Sequence, residues 1–186
     1  MDEFVFVPAF HAPHKSSRKP TSPYDRFAML TLATEGECRI MVSKMELELP
    51  EKPYTVETLG RLKAEMPDSE IFFVMGADSW QDIRTWREWE TVLTMSNHIV
   101  VTRPGFDVTF SHVTDEIRQR IVDLRGQDHL LSDADSGKLS IFVTDAVNLD
   151  ISATEIRHKF REQDAGWRTD VTEEVAKYIE KYQIYK

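Results

Sequence analysis

Cysteine is almost missing from this sequence. A single one, Cys38, stands among 186 residues, which excludes an intramolecular disulfide framework and any cysteine-built zinc cluster. That usage fits a reducing cytosol, so a cytoplasmic protein is expected. Long apolar runs are missing as well. None approaches the roughly 20 residues that cross a bilayer, so an integral membrane protein is not expected. The start, Met1-Asp2-Glu3-Phe4-Val5-Phe6-Val7-Pro8, has acids where a signal peptide has bases, and Pro8 cuts its apolar stretch short. Secretion by that route is not expected. The third absence is a basic surplus. Lys and Arg number 23 against 32 Asp and Glu, for a net charge of −9. Nucleic-acid binders draw affinity from many Lys and Arg contacts to phosphate, and the charge speaks against that role. A small anionic ligand needs only a local cationic pocket. Finally, the chain has no G-x-x-x-x-G-K-[ST], G-x-G-x-x-G, H-E-x-x-H or G-x-S-x-G motif. None of its six histidines pair at metal-ligand spacing on a helix, so no metal held by protein side chains is expected.

What is present suits a packed α/β domain. Hydrophobic residues make up 41% and charged residues 30%, enough for a core and too apolar for wholesale disorder. With no internal repeat and no linker of domain-boundary character, residues 1–186 read as one domain. Phe4 to Val7 reads as a strand, and so does Arg39 to Ser43. Glu70 to Met75, His98 to Thr102 and Leu139 to Val143 form continuous apolar runs of the kind buried strands show. Helices are expected at Pro23 to Ala33, at Thr55 to Ala64 with Thr55 as cap, at about Trp80 to Thr94, at Asp115 to Leu124, at about Ser152 to Glu162 and at Thr172 to Tyr182. Residues 127–138 read as loop. This alternation predicts a parallel sheet with helices on both faces. The strands at Phe4, Ile71 and Ile99 should be neighbours in it. Ligands of such sheets bind beyond the carboxyl ends of the strands.

Four segments there could carry chemistry. Residues 11–19 hold His11, His14, Lys15, Arg18 and Lys19 and no acid, which suits either a phosphate-facing loop or a solvated one. Gly76-Ala77-Asp78-Ser79 follows the clearest strand. Its glycine permits close backbone approach, and Asp78 could accept from a ribose hydroxyl or cap the next helix. Trp86 and Trp89 are three apart and would share a helix face. Trp86, among polar neighbours, is the candidate stacking ring, and Trp89 the buried one. In Ile151-Ser152-Ala153-Thr154-Glu155-Ile156-Arg157, Ser152 and Glu155 fit a capping box. Thr154 and Arg157 then stay free to meet phosphate beside the amides of the helix start.

Taken in order, several pieces resemble one family, the bacterial nicotinate-nucleotide adenylyltransferases. They are Phe6-Val7-Pro8 with Pro13-His14-Lys15, Arg26 to Leu30, Tyr54 to Leu59, Gly76 to Ser79, Thr85-Trp86, Val101 to Gly105, Ile151 to Arg157, and Val175 to Ile179 before Tyr185. The resemblance covers nearly the whole chain. It implies a Rossmann-like fold and transfer of AMP from ATP to nicotinate mononucleotide, with deamido-NAD and pyrophosphate as products. It implies that Lys15 and Arg157 are the catalytic cations. Thr55, Trp86 and Arg103 would hold the nicotinate nucleotide, and Gly76, Asp78, Ser152, Thr154 and Arg157 would hold ATP. Mg²⁺ would ride on the substrate phosphates. The family normally has a strand, a G-T-F-D-P-x-H-x-G-H loop and a helix ahead of the strand at Phe4, and this sequence has none of them. The expectation is therefore a sheet short of its first strand and a chain of low turnover as written. Two other readings stay open at this point. One is a non-catalytic nucleotide-binding remnant. The other is a related nucleotidyltransferase acting on nicotinamide mononucleotide or phosphopantetheine. A homo-oligomer is also left open.

Overall fold

The apolar runs expected to be strands all become strands, and every pair of them is parallel. The computed structural model describes residues 3–10, 21–49, 53–102, 108–126, 138–147 and 151–185. They fall into two compact units, Tyr54–Asp150 and the combination of Met1–Pro53 with Ile151–Lys186.

The Tyr54–Asp150 unit carries a four-stranded parallel sheet. Its strands are β3 (Phe72–Gly76), β4 (Asn97–Val101), β5 (Ile121–Asp123) and β6 (Ile141–Thr144), in the order β3-β4-β6-β5. The helices are α2 (Thr55–Glu65), α3 (Ala77–Gln81), α4 (Trp89–Met95) and α5 (Asp115–Arg118). β6 is buried at Ile141, Phe142 and Val143, which fits its unbroken apolar run. The core joins Met75, Val100, Ile141 and Val143 from the strands to Trp80, Ile83 and Leu93 from the segments after β3. Trp80 is fully buried, and its indole N–H donates to the Thr109 carbonyl at 2.9 Å, so its one polar atom is satisfied.

The amino ends of these strands are pinned by polar side chains. Asn97 donates to Glu70 Oε1 at 2.8 Å and accepts from the Ser140 amide at 2.7 Å. The carboxyl ends lie together by register, with Gly76 beside Val101 and Val101 beside Thr144. That is the edge at which such sheets bind ligands.

The other unit pairs β1 (Phe4–Phe6) with β2 (Ile40–Val42) in parallel and carries α1 (Pro23–Ala33), α6 (Ala153–Arg161) and α7 (Glu173–Tyr182). Ile156, Trp167, Val175, Ala176 and Ile179 form its core, with Met29 and Leu32 of α1 packed on it. Tyr178 of α7 donates to Asp25 of α1 at 2.9 Å. Arg26 of α1 donates to the carbonyls of Ala9 and Thr21, holding the chain that leaves β1.

Three sequence expectations are corrected. The strand at Phe4 pairs with β2, where β3 and β4 were expected as neighbours. The helix expected over Asp115 to Leu124 ends after Arg118, and Ile121–Asp123 is a strand beside β6. Its β-branched Ile121 and Val122 gain ladder partners there, which outweighs a weak helical pattern. The helix expected over Trp80 to Thr94 is three pieces: α3, a 3-10 turn at Ile83–Thr85, and α4. The break comes at Trp86, whose backbone is extended (φ −77, ψ 142), and at Glu88, whose φ of 51 is left-handed. Trp86 and Trp89 therefore do not share one helix face, and Trp89 is half-buried rather than buried.

Candidate active site

Gly76 closes β3, and α3 starts one residue later. Its backbone (φ −78, ψ 162) suits any residue, so glycine is not needed for conformation. Space is the reason. A Cβ at this position would stand 2.7 Å from Asp78 Oδ1, which is inside van der Waals contact. The Asp78 carboxylate thus folds back over the end of the strand, where Oδ1 also accepts from the Ser79 amide at 2.9 Å. Asp78 is exposed and lies inside the first turn of α3, so it is not the residue that begins the helix.

Trp86 leaves the 3-10 turn with its amide donating to the Ile83 carbonyl at 2.9 Å. Its ring meets Phe73 of β3 edge to face, centroids 6.1 Å apart at 90°. One side of the indole is seated on the core and the residue is only half-buried.

Thr55 is the first residue inside α2 and is half-buried. The expected cap at Thr55 is corrected to Tyr54. The Tyr54 amide is satisfied by Glu57 Oε2 at 2.8 Å, so a carboxylate three residues on closes the helix start. Arg87 lays its guanidinium over the Tyr54 ring at 4.7 Å and faces Glu57 Oε1 at 3.7 Å. Because Arg87 adjoins Trp86, the structure brings the Trp86 segment to the start of α2, where Thr55 stands. The Tyr54–Glu57 spacing is a signal that could have been read from the sequence. Arg87 gives no such signal, because the two partners that tie it to α2, Tyr54 and Glu57, lie 30 or more positions earlier in the chain.

In the other unit, Ser152 does begin α6, and its hydroxyl accepts from the Thr154 amide at 3.3 Å. The capping box with Glu155 is corrected. Glu155 turns along the helix to Lys159 Nζ at 3.3 Å, an i,i+4 pair that competes for the carboxylate. Thr154 is exposed on the first turn. Arg157, one turn in, is half-buried with its guanidinium over the Tyr185 ring at 5.6 Å. Burial pushes the Tyr185 hydroxyl up from its usual range, and the Arg157 charge pulls it back.

Lys15 and Arg103 lie outside the described residues. No group of three or more His, Cys, Asp or Glu able to hold a metal ion occurs among the described residues. No helix there is long and apolar enough to cross a membrane.

Residues 1–159 match the family model described as cytidylyltransferase-like. Relatives carrying the name nicotinate-nucleotide adenylyltransferase match across the whole chain. Those from Corynebacterium jeikeium and Desulfitobacterium hafniense strain Y51 are 31% and 33% identical, with 86% and 82% of their own lengths covered. One from Geobacter sp. strain M21 is 34% identical, with 85% covered. The chain belongs to the cytidylyltransferase-like family and, within it, to the nicotinate-nucleotide adenylyltransferases. Two solved structures of Plasmodium falciparum nicotinic acid mononucleotide adenylyltransferase, one complexed with APC and one with NaAD, share the fold. Their TM-scores are 0.68 and 0.69 at 18% and 19% identity, over 100% of this chain and 83% of each of those.

Proposed function

We propose that this chain transfers the adenylyl group of ATP to nicotinate mononucleotide. A phosphate oxygen of the mononucleotide attacks the α-phosphorus of ATP. The bond from that phosphorus to the bridging oxygen breaks, and deamido-NAD and pyrophosphate leave. The observation that carries this is the match over the whole chain, at 31–33% identity, to relatives bearing that enzyme name. The same names favour nicotinate mononucleotide over nicotinamide mononucleotide or phosphopantetheine as acceptor.

The chemistry asks little of the protein beyond position and charge. The nucleophile is already an anion, so no general base is required, and catalysis rests on alignment and charge neutralisation. In this reading Ser152, Thr154 and the first amides of α6 receive the ATP phosphates, with Arg157 as a bidentate cation. Lys15 supplies a second cation. Gly76 and Asp78 meet the ribose or adenine of ATP. Thr55, Trp86 and Arg103 hold the nicotinate end, with the half-buried Trp86 ring as the stacking surface. Mg²⁺ prefers phosphate oxygens and water as ligands. Bound to the nucleotide, it would neutralise phosphate charge without a protein cage. A cytoplasmic setting belongs to the same proposal.

The test is pyrophosphate release from ATP, Mg²⁺ and nicotinate mononucleotide, with the other two acceptors offered in parallel. Release that depends on nicotinate mononucleotide supports the reading, and release with another acceptor in its place sinks it. Trp86→Ala should weaken nicotinate mononucleotide binding by about 1–3 kcal/mol, the scale of base–aromatic stacking. Unchanged affinity with lower thermal stability would make Trp86 a packing residue only. Gly76→Ala should leave the melting temperature nearly unchanged, because the backbone accepts alanine. It should push the Asp78 carboxylate aside and cost about 1 kcal/mol of ATP affinity, the scale of one hydrogen bond. Calorimetric titration with ATP reads this directly, and equal affinity in the two forms would remove Asp78 from the nucleotide site.

A further inference from the structure

We infer that Arg87 is a positioning residue for the pyridine side of the site, fixing the Trp86 ring against the first turn of α2. The inference rests on the reading that Trp86 stacks on the nicotinate ring. Trp86 itself belongs to no helix, and its extended backbone gives the ring no periodic support. Phe73 packs on the indole at right angles, and the residue stays only half-buried. The next residue along the chain, Arg87, supplies the other anchor. Its guanidinium lies 4.7 Å from the centroid of the Tyr54 ring. Its Nη1 is 3.7 Å from Glu57 Oε1, and its Nε is 3.6 Å from Glu88 Oε1. Glu57 is shared, because its other oxygen accepts from the Tyr54 amide that opens α2. One planar cation therefore ties the residue after Trp86 to the helix that begins with Thr55.

The backbone beside it is in a sparsely populated conformation. Glu88 sits at φ 51, a region a residue with a side chain rarely enters. Such a conformation persists only where its surroundings hold it. The three charged side chains of the clamp are about half exposed, at 52% for Arg87, 43% for Glu57 and 55% for Glu88. Exposed ion pairs contribute little to folding, so the consequence of the clamp is geometric. Lysine would keep the charge but lose the flat fork that stacks on Tyr54 while facing two carboxylates.

The experiment is steady-state kinetics and calorimetric binding of nicotinate mononucleotide with the whole chain, for the wild type, Arg87→Gln, Arg87→Lys and Trp86→Ala. Arg87→Gln should raise KM for nicotinate mononucleotide about two- to fivefold, the scale of an exposed cation–π contact. KM for ATP, kcat and the melting temperature should stay near wild type. Arg87→Lys should fall between the two. An unchanged KM for nicotinate mononucleotide in Arg87→Gln overturns the inference. So does a parallel rise in both KM values with a lower melting temperature, which is what a purely structural role produces. If Trp86→Ala impairs binding and Arg87→Gln does not, the positioning role alone fails. If the wild type binds no nicotinate mononucleotide, or Trp86→Ala binds it as well as the wild type, the reading beneath the inference fails with it.

Discussion

Replacing Arg157 with alanine should lower the rate of pyrophosphate release by about 10²–10³-fold, the loss seen when one preorganised donor to developing charge is removed. Three features concentrate that effect on one side chain. Ser152 caps α6 through the Thr154 amide, so the helix start is ordered and its remaining first-turn amides point outward as donors. The positive end of the helix dipole lies at the same place. Arg157 stands one turn along, half-buried, its guanidinium fixed over the Tyr185 ring at 5.6 Å. A cation held in advance loses little freedom when phosphate arrives, and pyrophosphate leaving from ATP builds negative charge. Arg157→Lys should recover part of the rate, because the charge returns without the fork. If the loss appears in KM for ATP with kcat intact, Arg157 binds ground and transition states alike. Folding is a separate matter, since Ile156 provides the buried face of α6. The melting temperature of the variant should stay close to that of the wild type. Rates within about threefold of wild type, well short of one lost donor, would take Arg157 out of the reaction.

The sheet was legible because buried parallel strands write themselves as unbroken apolar runs. Glu70 to Met75, His98 to Thr102 and Leu139 to Val143 are such runs, and they became the neighbours β3, β4 and β6. The edge strand β5 was not legible. Only three residues long and mostly exposed, it lacks that signature, and the acids and arginines around it imitate an amphipathic helix. The start of α6 was readable because Ser152 is a local cap, a matter of two residues and one hydrogen bond. Glu155 was misread because a nearby lysine competes for its carboxylate. The break at Trp86 was hidden for a different reason. The sequence around it has neither glycine nor proline, so nothing local announces the left-handed Glu88. Contacts with Tyr54 and Glu57, some 30 positions away in the chain, accompany that turn. Sequence periodicity carries no record of contacts of that kind.

Acid should destabilise this protein through His98, by about 3 kcal/mol between pH 6.5 and pH 4. The ring is fully buried on β4, against Phe73 at 5.7 Å. Nδ1 lies 3.1 Å from the Ser96 carbonyl, so the neutral ring donates there, and Nε2 has no protein partner among the described residues. Burial pushes the pKa down to about 4 from 6.5. The Ser96 carbonyl works against that shift, and the nearby Arg120 charge adds to it. Well above pH 6.5 the ring is neutral in both folded and unfolded chains and contributes nothing to the pH dependence. Below it the unfolded chain takes up a proton that the fold refuses, so stability falls as pH falls, until the folded ring also titrates near pH 4. Urea unfolding between pH 7.5 and pH 4 reads the slope. His98→Phe removes the titrating group, and its absolute stability matters less than its slope. The slope of the variant should be flatter than that of the wild type by up to about 1.4 kcal/mol per pH unit, one proton's worth. Carboxylates common to both proteins cancel in the difference. Equal slopes would mean that the His98 site opens to water before it charges.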